Sequence, residues 1–270
     1  MKARAAKVDR AMKQHIADGE SSVASLYQDE RVAESYIQQR FSHSWQLLFH
    51  SKQVAAVQQI IQRDRPARIL ELAPGPARIT VDLHGVNHGY MVEYSREMIQ
   101  LATSNLKQRK RDACWTVIYG NAFQLVEIPE LPDTFDLVYT FRFIRHFHEQ
   151  ERARLYSGIR DKLRPGGILL FDVVNKPLFC KLNAGARGTS SNALPVYDVS
   201  YTENEFRGEL QSNGFKVIRM IPVLRHFRLQ SWISSKLDDV IPPISSRIVR
   251  LLESIPSRNP LEWIAVCRKL

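Results

Sequence analysis

The residues with most chemical reach in this chain are a turn, a few acids and one histidine. Arg68-Ile-Leu-Glu71-Leu-Ala73-Pro74-Gly75-Pro76 begins as a short apolar run and breaks at Pro74-Gly75, the pattern of a buried strand that ends in a tight turn. Pro76 then opens a predicted helix over 76–84, at the position where a proline is best tolerated. A strand, a turn and a helix N-terminus together present backbone N–H groups that can donate to a carboxylate or phosphate, and Gly75 permits close approach. Gly89-Tyr-Met-Val-Glu93 reads as a second strand ending in an acid, and Ser95 caps the next helix. A carboxylate roughly 20 residues after such a turn suits the hydroxyls of a ribose. The combination points to a nucleoside-containing cofactor. Gly75 is the turn's single glycine, which argues against the three-glycine fingerprint of dinucleotide sites.

A second group follows further on, in Thr140-Phe-Arg142-Phe-Ile-Arg145-His146-Phe-His148. Two arginines on an otherwise apolar segment need anionic partners if buried, from protein acids or from a substrate carboxylate or phosphate. His146 is either a general base, a role open to an imidazole, or a helix-start histidine bonded to backbone.

These residues are positioned by alternating strands and helices, which imply a parallel sheet. Strands are expected near 68–73, 89–94, 114–119, 135–140, 167–174, 215–221 and 262–268, and further helices near 96–109, 148–162 and 203–213. The last carries a capping box, Thr202-x-x-Glu205, and stops at Gly214. From Ser22 to Arg63 the apolar spacing is helical, through Leu47, Val54, Val57 and Ile61. Two stretches exceed a minimal α/β unit: a Gly/Ser/Asn-rich connection at 176–200, expected as a long loop that is functional or disordered, and 222–260. The latter holds Trp232, Pro242-Pro243 and a helical pattern through Ile248, Leu251 and Leu252, and reads as a cap or partner surface able to touch a membrane without spanning it.

The chain has 270 residues, 44% hydrophobic and 24% charged, enough to bury a full core. Three cysteines are far apart, consistent with reduced thiols in a cytoplasm. The formal net charge of +10 is the unusual quantity. It is carried partly by Lys2, Arg4, Lys7, Arg10 and Lys13, and partly by Lys107-Gln-Arg109-Lys110-Arg111, readable either as a nucleic-acid surface or as a basic tail and a helix C-terminus.

Glu71-x-Ala73-x-Gly75-x-Ala77, Val92-Glu93-Tyr-Ser95, Gly120-Asn121-Ala122 and Leu163-Arg-Pro165-Gly166-Gly167 together resemble a class I S-adenosylmethionine-dependent methyltransferase of the small-molecule type, close to the quinone-biosynthesis methyltransferases. The resemblance implies an α/β, Rossmann-like, doubly wound seven-stranded sheet, mostly parallel with the last strand antiparallel. It assigns residues 1–65 to a basic tail and helical lid, and 66–270 to the core with insertions near 176–200 and 222–260. Ala73 and Ala77 stand where the family usually has glycines. Ala73, before Pro74, is expected in extended geometry and Ala77 inside the helix.

By position, the resemblance gives S-adenosyl-L-methionine as cofactor and no metal. It places Arg40, Glu71, Ala73, Gly75, Glu93, Tyr94, Asn121, Ala122, Phe123 and Phe141 at the cofactor. Tyr36, Arg142, Arg145 and Arg225 are placed at a small, anionic acceptor, and His146 in the catalytic role. Methylation on oxygen, nitrogen or carbon proceeds by in-line displacement, in which alignment and water exclusion supply most of the acceleration. The alternatives are an RNA methyltransferase using the basic surface, or an inactive cofactor-binding homologue acting as a partner protein. A cytoplasmic monomer or homodimer without a transmembrane segment is expected.

Overall fold

The computed structural model of the protein describes residues 42–185 and 198–270. Its strands are β1 (Ile69–Leu72), β2 (Gly89–Glu93), β3 (Trp115–Tyr119), β4 (Phe135–Thr140), β5 (Leu163–Asn175), β6 (Ser200–Tyr201), β7 (Phe215–Val223) and β8 (Glu262–Lys269). They form one sheet in the order β3-β2-β1-β4-β5-β8-β7. The short β6 is the one strand outside the predicted set, and it pairs with Val174 and Asn175 past the end of the β4 ladder. Every ladder is parallel except those of β8, which runs antiparallel to β5 and β7. The chain leaves β1 toward β2 and β3, then returns to place β4 on the other side of β1. That reversal opens a crevice at the strand carboxyl ends, where ligands bind in such sheets.

The helices are α1 (Ser44–Asp64), α2 (Arg96–Gln108), α3 (Glu149–Lys162), α4 (Lys176–Gly185), α5 (Glu203–Ser212), α6 (Phe227–Leu237) and α7 (Pro242–Ser254). Alternation along the strands builds two cores. Ile69, Leu137, Tyr139 and Leu170 face one side, with Leu48, Val57 and Ile60 of α1 and Ala102 and Leu106 of α2. Leu70, Leu72, Val138, Leu169 and Phe171 face the other, against Tyr156 and Ile159 of α3 and Phe206 and Leu210 of α5. Each fully buried aliphatic side chain contributes about 1.5–3 kcal/mol. The caps fall where the sequence puts them. The Ser95 hydroxyl accepts from Met98 N–H, and Thr202 and Glu205 close their capping box. Lys107, Arg109 and Lys110 are exposed at the C-terminal end of α2, where cations favour the helix dipole.

The 222–260 insertion folds as α6 and α7, packed on each other and on α1. Its Asp238 accepts from Ser44 N–H at 2.9 Å and from the Ser44 and Ser245 hydroxyls. A carboxylate therefore sits at the N-terminus of α1, where the helix dipole favours it. Among the described residues no helix is long and apolar enough to cross a membrane.

Two expectations need correction. Residues 76–84 are a turn followed by a single 3-10 turn at Thr80–Asp82, not a regular helix. Ala77 takes a left-handed φ of 58°, which interrupts α-helical continuation immediately after Pro76. The Gly/Ser/Asn-rich connection after β5 begins as α4, before the undescribed part. The basic tail and the Tyr36 and Arg40 assignments lie outside the described residues.

Candidate functional site

The turn after β1 is built by backbone. Ala73 N–H donates to Val92 O at 2.9 Å, extending the β1–β2 ladder, and Gly75 N–H donates to Glu93 Oε2 at 3.0 Å. Ala73, Gly75 and Ala77 all have positive φ, at 49°, 56° and 58°. The expectation that Ala73 is extended and Ala77 helical is therefore corrected. Both alanines adopt the left-handed geometry of the family glycines, at a cost of roughly 1–2 kcal/mol each. The bonds of Ala73 and Gly75 to β2 fix the first part of the turn, and Ala77 N–H closes it on Pro74 O at 3.2 Å. A Cβ built on Gly75 meets nothing nearer than Met98 Sδ at 3.9 Å, so the space above the turn has room for a ligand.

Glu93 sits at the end of β2 with both oxygens engaged. Oε1 accepts from Tyr94 and Ser95 N–H at 2.8 and 2.9 Å, and Oε2 from Gly75. Burial pushes its carboxyl upward against these three bonds. A carboxylate oxygen takes about two bonds, so Oε2 keeps capacity for one ribose hydroxyl.

Glu71 lies one layer deeper. The register sets Tyr139 of β4 beside it, and the Tyr139 and Thr80 hydroxyls both donate to Glu71 Oε2, the former at 3.1 Å. The two hydroxyls are themselves 2.8 Å apart. Burial raises the Glu71 carboxyl to about 7, outweighing both bonds. Glu71 was expected at the cofactor; it is turned into the sheet and braces the loop through Thr80. Neither Thr80 nor Tyr139 was singled out from sequence.

On the β3 side, the Asn121 side-chain oxygen accepts from Phe123 N–H at 3.0 Å. It caps the 3-10 segment Ala122–Glu127 rather than pointing open. Ala122 is buried, while Phe123 is half-buried with its edge on Phe147. Tyr94 is exposed and stacks on Tyr119 at 5.6 Å, with the Arg96 guanidinium over the latter ring.

Beyond β4, Phe141 is buried beside Tyr139. Arg142 has a φ of 56°, and its N–H donates to Asp172 Oδ1 at 2.6 Å. Its guanidinium lies over the Phe49 ring at 5.1 Å, and among the described residues it makes no hydrogen bond or ion pair. Arg145 differs. It is buried and meets Asp172, Asp198 and Glu262 at 2.9–3.0 Å, so of the two kinds of anionic partner expected for it, protein acids are present. Burial opposes its charge, but the three carboxylates raise its affinity for the proton. Burial in turn lifts Glu262 to about 7 despite Arg145, trimming the excess of negative charge. His146 Nδ1 is 3.0 Å from Asp198 Oδ1. Burial works against ionised Asp198, yet bonds from His146 and Arg145 hold it below the usual carboxylate range. Arg225 is half-buried, with its N–H on Glu253, just past Val223, which pairs with Glu262. Asp198 and Glu262 were missed. A usable signal existed for Glu262, an acid at the head of an apolar strand in a chain with an unmatched arginine.

Comparison with known proteins agrees with this geometry. Residues 69–167 match the family described as "Methyltransferase domain", and no curated protein matches the chain in sequence. Among solved structures, magnesium protoporphyrin IX methyltransferase (ChlM) from Synechocystis PCC 6803 with bound SAH is similar in fold. It is 12% identical at a TM-score of 0.56, over 84% of this chain and 86% of that one. The mitomycin 7-O-methyltransferase MmcR is 17% identical at 0.53, over 83% of this chain but 54% of its own length. An O-methyltransferase from Nostoc punctiforme PCC 73102 is 15% identical at 0.53, over 80% and 55%. The chain thus spans little more than half of those two proteins. Residues 69–167 thus form a methyltransferase domain, and the chain has the sheet order of the class I methyltransferase fold. It is an enzyme whose methyl donor is S-adenosyl-L-methionine.

Proposed function

We propose that the protein methylates a small anionic acceptor bound at the carboxyl ends of β4 and β5, with Arg142 as the cation that holds it. The observation carrying this is the difference between neighbours: Arg145 is saturated by three acids, whereas the Arg142 guanidinium rests on Phe49 with no acid partner among the described residues. A guanidinium so placed pairs a carboxylate or phosphate bidentately. ChlM and MmcR among the similar structures are named for small-molecule acceptors, which supports a small acceptor.

The bound cofactor supplies an activated methyl on a sulfonium. For the chain's part, the open turn at Ala73–Gly75 faces the methionine end and Glu93 Oε2 accepts from one ribose hydroxyl. Ala122, Phe123 and Tyr94 flank the adenine, Asn121 shapes their loop, and Phe141 lines the reacting end. Arg40 and Tyr36 belong to the same proposal, closing the cofactor and acceptor sides, and Arg225 adds a second cation. Asp198 at Nδ1 of His146 favours the tautomer whose basic nitrogen is Nε2, the arrangement of a general base for an acceptor that must lose a proton.

The test is a panel of carboxylate- and phosphate-bearing acceptors with neutral counterparts, followed by release of S-adenosylhomocysteine. Arg142→Met should raise KM for the charged acceptor by about tenfold or more, the loss of a charged hydrogen bond, and leave S-adenosylhomocysteine affinity unchanged by calorimetry. Preference for neutral acceptors, or an unchanged KM in the variant, rejects the anionic reading. His146→Gln should lower kcat for hydroxyl acceptors.

A further inference from the structure

We propose that the outer face of the α6–α7 pair seats the protein on an anionic lipid surface. The inference rests on how these helices distribute their side chains, independently of the acceptor. α7 buries Ser245, Val249 and Glu253, and exposes Ile244 and Leu251, the latter 66% accessible, with Ile255 just beyond its end. α6 buries Gln230, Ile233 and Ser234 while Leu229 and Trp232 face outward, Trp232 at 59%. Val240 and Ile241 protrude from the turn between them. A helix lying on a core in water places its apolar side inward; α7 does so with Ile248, Val249 and Leu252, yet Ile244 and Leu251 are left outside that side.

The charge around this apolar face identifies its occupant. Arg228, Lys236, Arg247, Arg250 and Arg258 are exposed, and none meets a carboxylate among the described residues. The acids of the stretch are otherwise engaged: Asp238 caps α1, and Glu253 is buried on Gln230 and Arg225 N–H. Asp239 alone remains exposed. A second copy docking through the same patch would set cations against cations. The chain's first 41 residues hold seven Lys and Arg against six Asp and Glu, so they do not complement the charge. Protruding Ile, Leu and Val with a Trp, rimmed by Arg and Lys, match the interface of an anionic bilayer, where apolar side chains enter the acyl boundary and cations meet headgroups. Trp favours that depth.

The experiment is flotation of the full chain with phosphatidylcholine vesicles, with and without phosphatidylglycerol. Co-flotation is expected with the anionic vesicles only. Trp232→Ser/Ile244→Ser/Leu251→Ser, which leaves the charge unchanged, should reduce partitioning by about tenfold or more, because lost apolar insertion is not replaced. Arg247→Gln/Arg250→Gln should reduce it as well, while Lys107→Gln/Arg109→Gln/Lys110→Gln at the end of α2 should matter least. Melting temperature and S-adenosylhomocysteine binding verify that each variant is folded. Failure of the wild type to float overturns the proposal and leaves an acidic protein partner or a second copy as occupant. Binding that survives the Trp232/Ile244/Leu251 variant also overturns it, since general attraction of a basic chain then suffices.

Discussion

The two ends of the crevice solve the same problem, a buried carboxylate, in opposite ways. Around β1 and β2, Glu71 and Glu93 are held by hydroxyls and backbone N–H groups, with no cation in contact among the described residues. Around β4, β5 and β8, Asp172, Asp198 and Glu262 converge on the single guanidinium of Arg145. The first arrangement tolerates change in charge, because a protonated or amide side chain keeps most of the bonds. The second does not, because each member is stabilised by the charge of the others. A cofactor common to many enzymes can be served by a turn and its backbone; the acceptor side needs side chains brought from distant parts of the chain.

The largest effect should follow from breaking the charged end. Arg145→Met leaves three buried or half-buried acids without their cation and should destabilise the fold by about 3–5 kcal/mol, read by urea denaturation. Adding Glu262→Gln should recover part of that loss. Full stability of the single variant would mean that the cluster is hydrated and contributes little.

Next is pH. The Glu71 carboxyl is lifted from 4.5 to about 7 by burial, so between those values the folded chain binds more protons than the unfolded one. Stability should therefore fall as pH rises from about 4.5 to about 7, and level off above. A shift of that size corresponds to about 3 kcal/mol. Glu262, also lifted to about 7 by burial, adds to the same slope. Asp198, held low, works in the other direction, and its contribution is lost as pH falls below its folded value. Glu71→Gln should flatten the slope between pH 4.5 and 7 in thermal melts while leaving the acid limb in place. An unchanged slope would put the titrating group at the charged end instead.

The smallest effect concerns the turn. Ala73→Gly and Ala77→Gly should each stabilise by about 0.5–1 kcal/mol, since relief of the left-handed strain exceeds the entropy that glycine adds. Ordinary Ala→Gly destabilisation would show that the strain is absorbed elsewhere.

The same contrast decides what was legible in the sequence. Strand positions, the Ser95 and Thr202 caps, the turn at Gly75 and the acid at Glu93 were readable because each depends on neighbours within a few residues. The geometry of Ala73 and Ala77 was misread, because bonds of the turn to β2 at Ala73 and Gly75 set it from across the sheet, while local preference points the other way. Arg145 was visible as an anomaly, but its three partners come from β5, from the segment before β6 and from β8. Separation in sequence hides such a cluster, since charge pairing has no periodicity. The α6–α7 pattern was readable as helical, but which aliphatic side chains stay outside was not, because that depends on how the pair packs on α1.

Asp238 also bears on the order in which the molecule can assemble during synthesis. It lies 194 residues after the Ser44 N–H that it holds. At roughly 5–20 residues per second, a ribosome needs roughly 10–40 s to travel between them. Through that interval α1 lacks both its N-terminal acid and the two helices that cover it, and Leu48, Phe49 and Val57 have only the growing sheet to rest on. Completion of the α1–α6–α7 layer belongs to the last moments of translation, so a nascent chain stalled before α6 would lack β8, and with it the partner of β7, beneath an unfastened first helix.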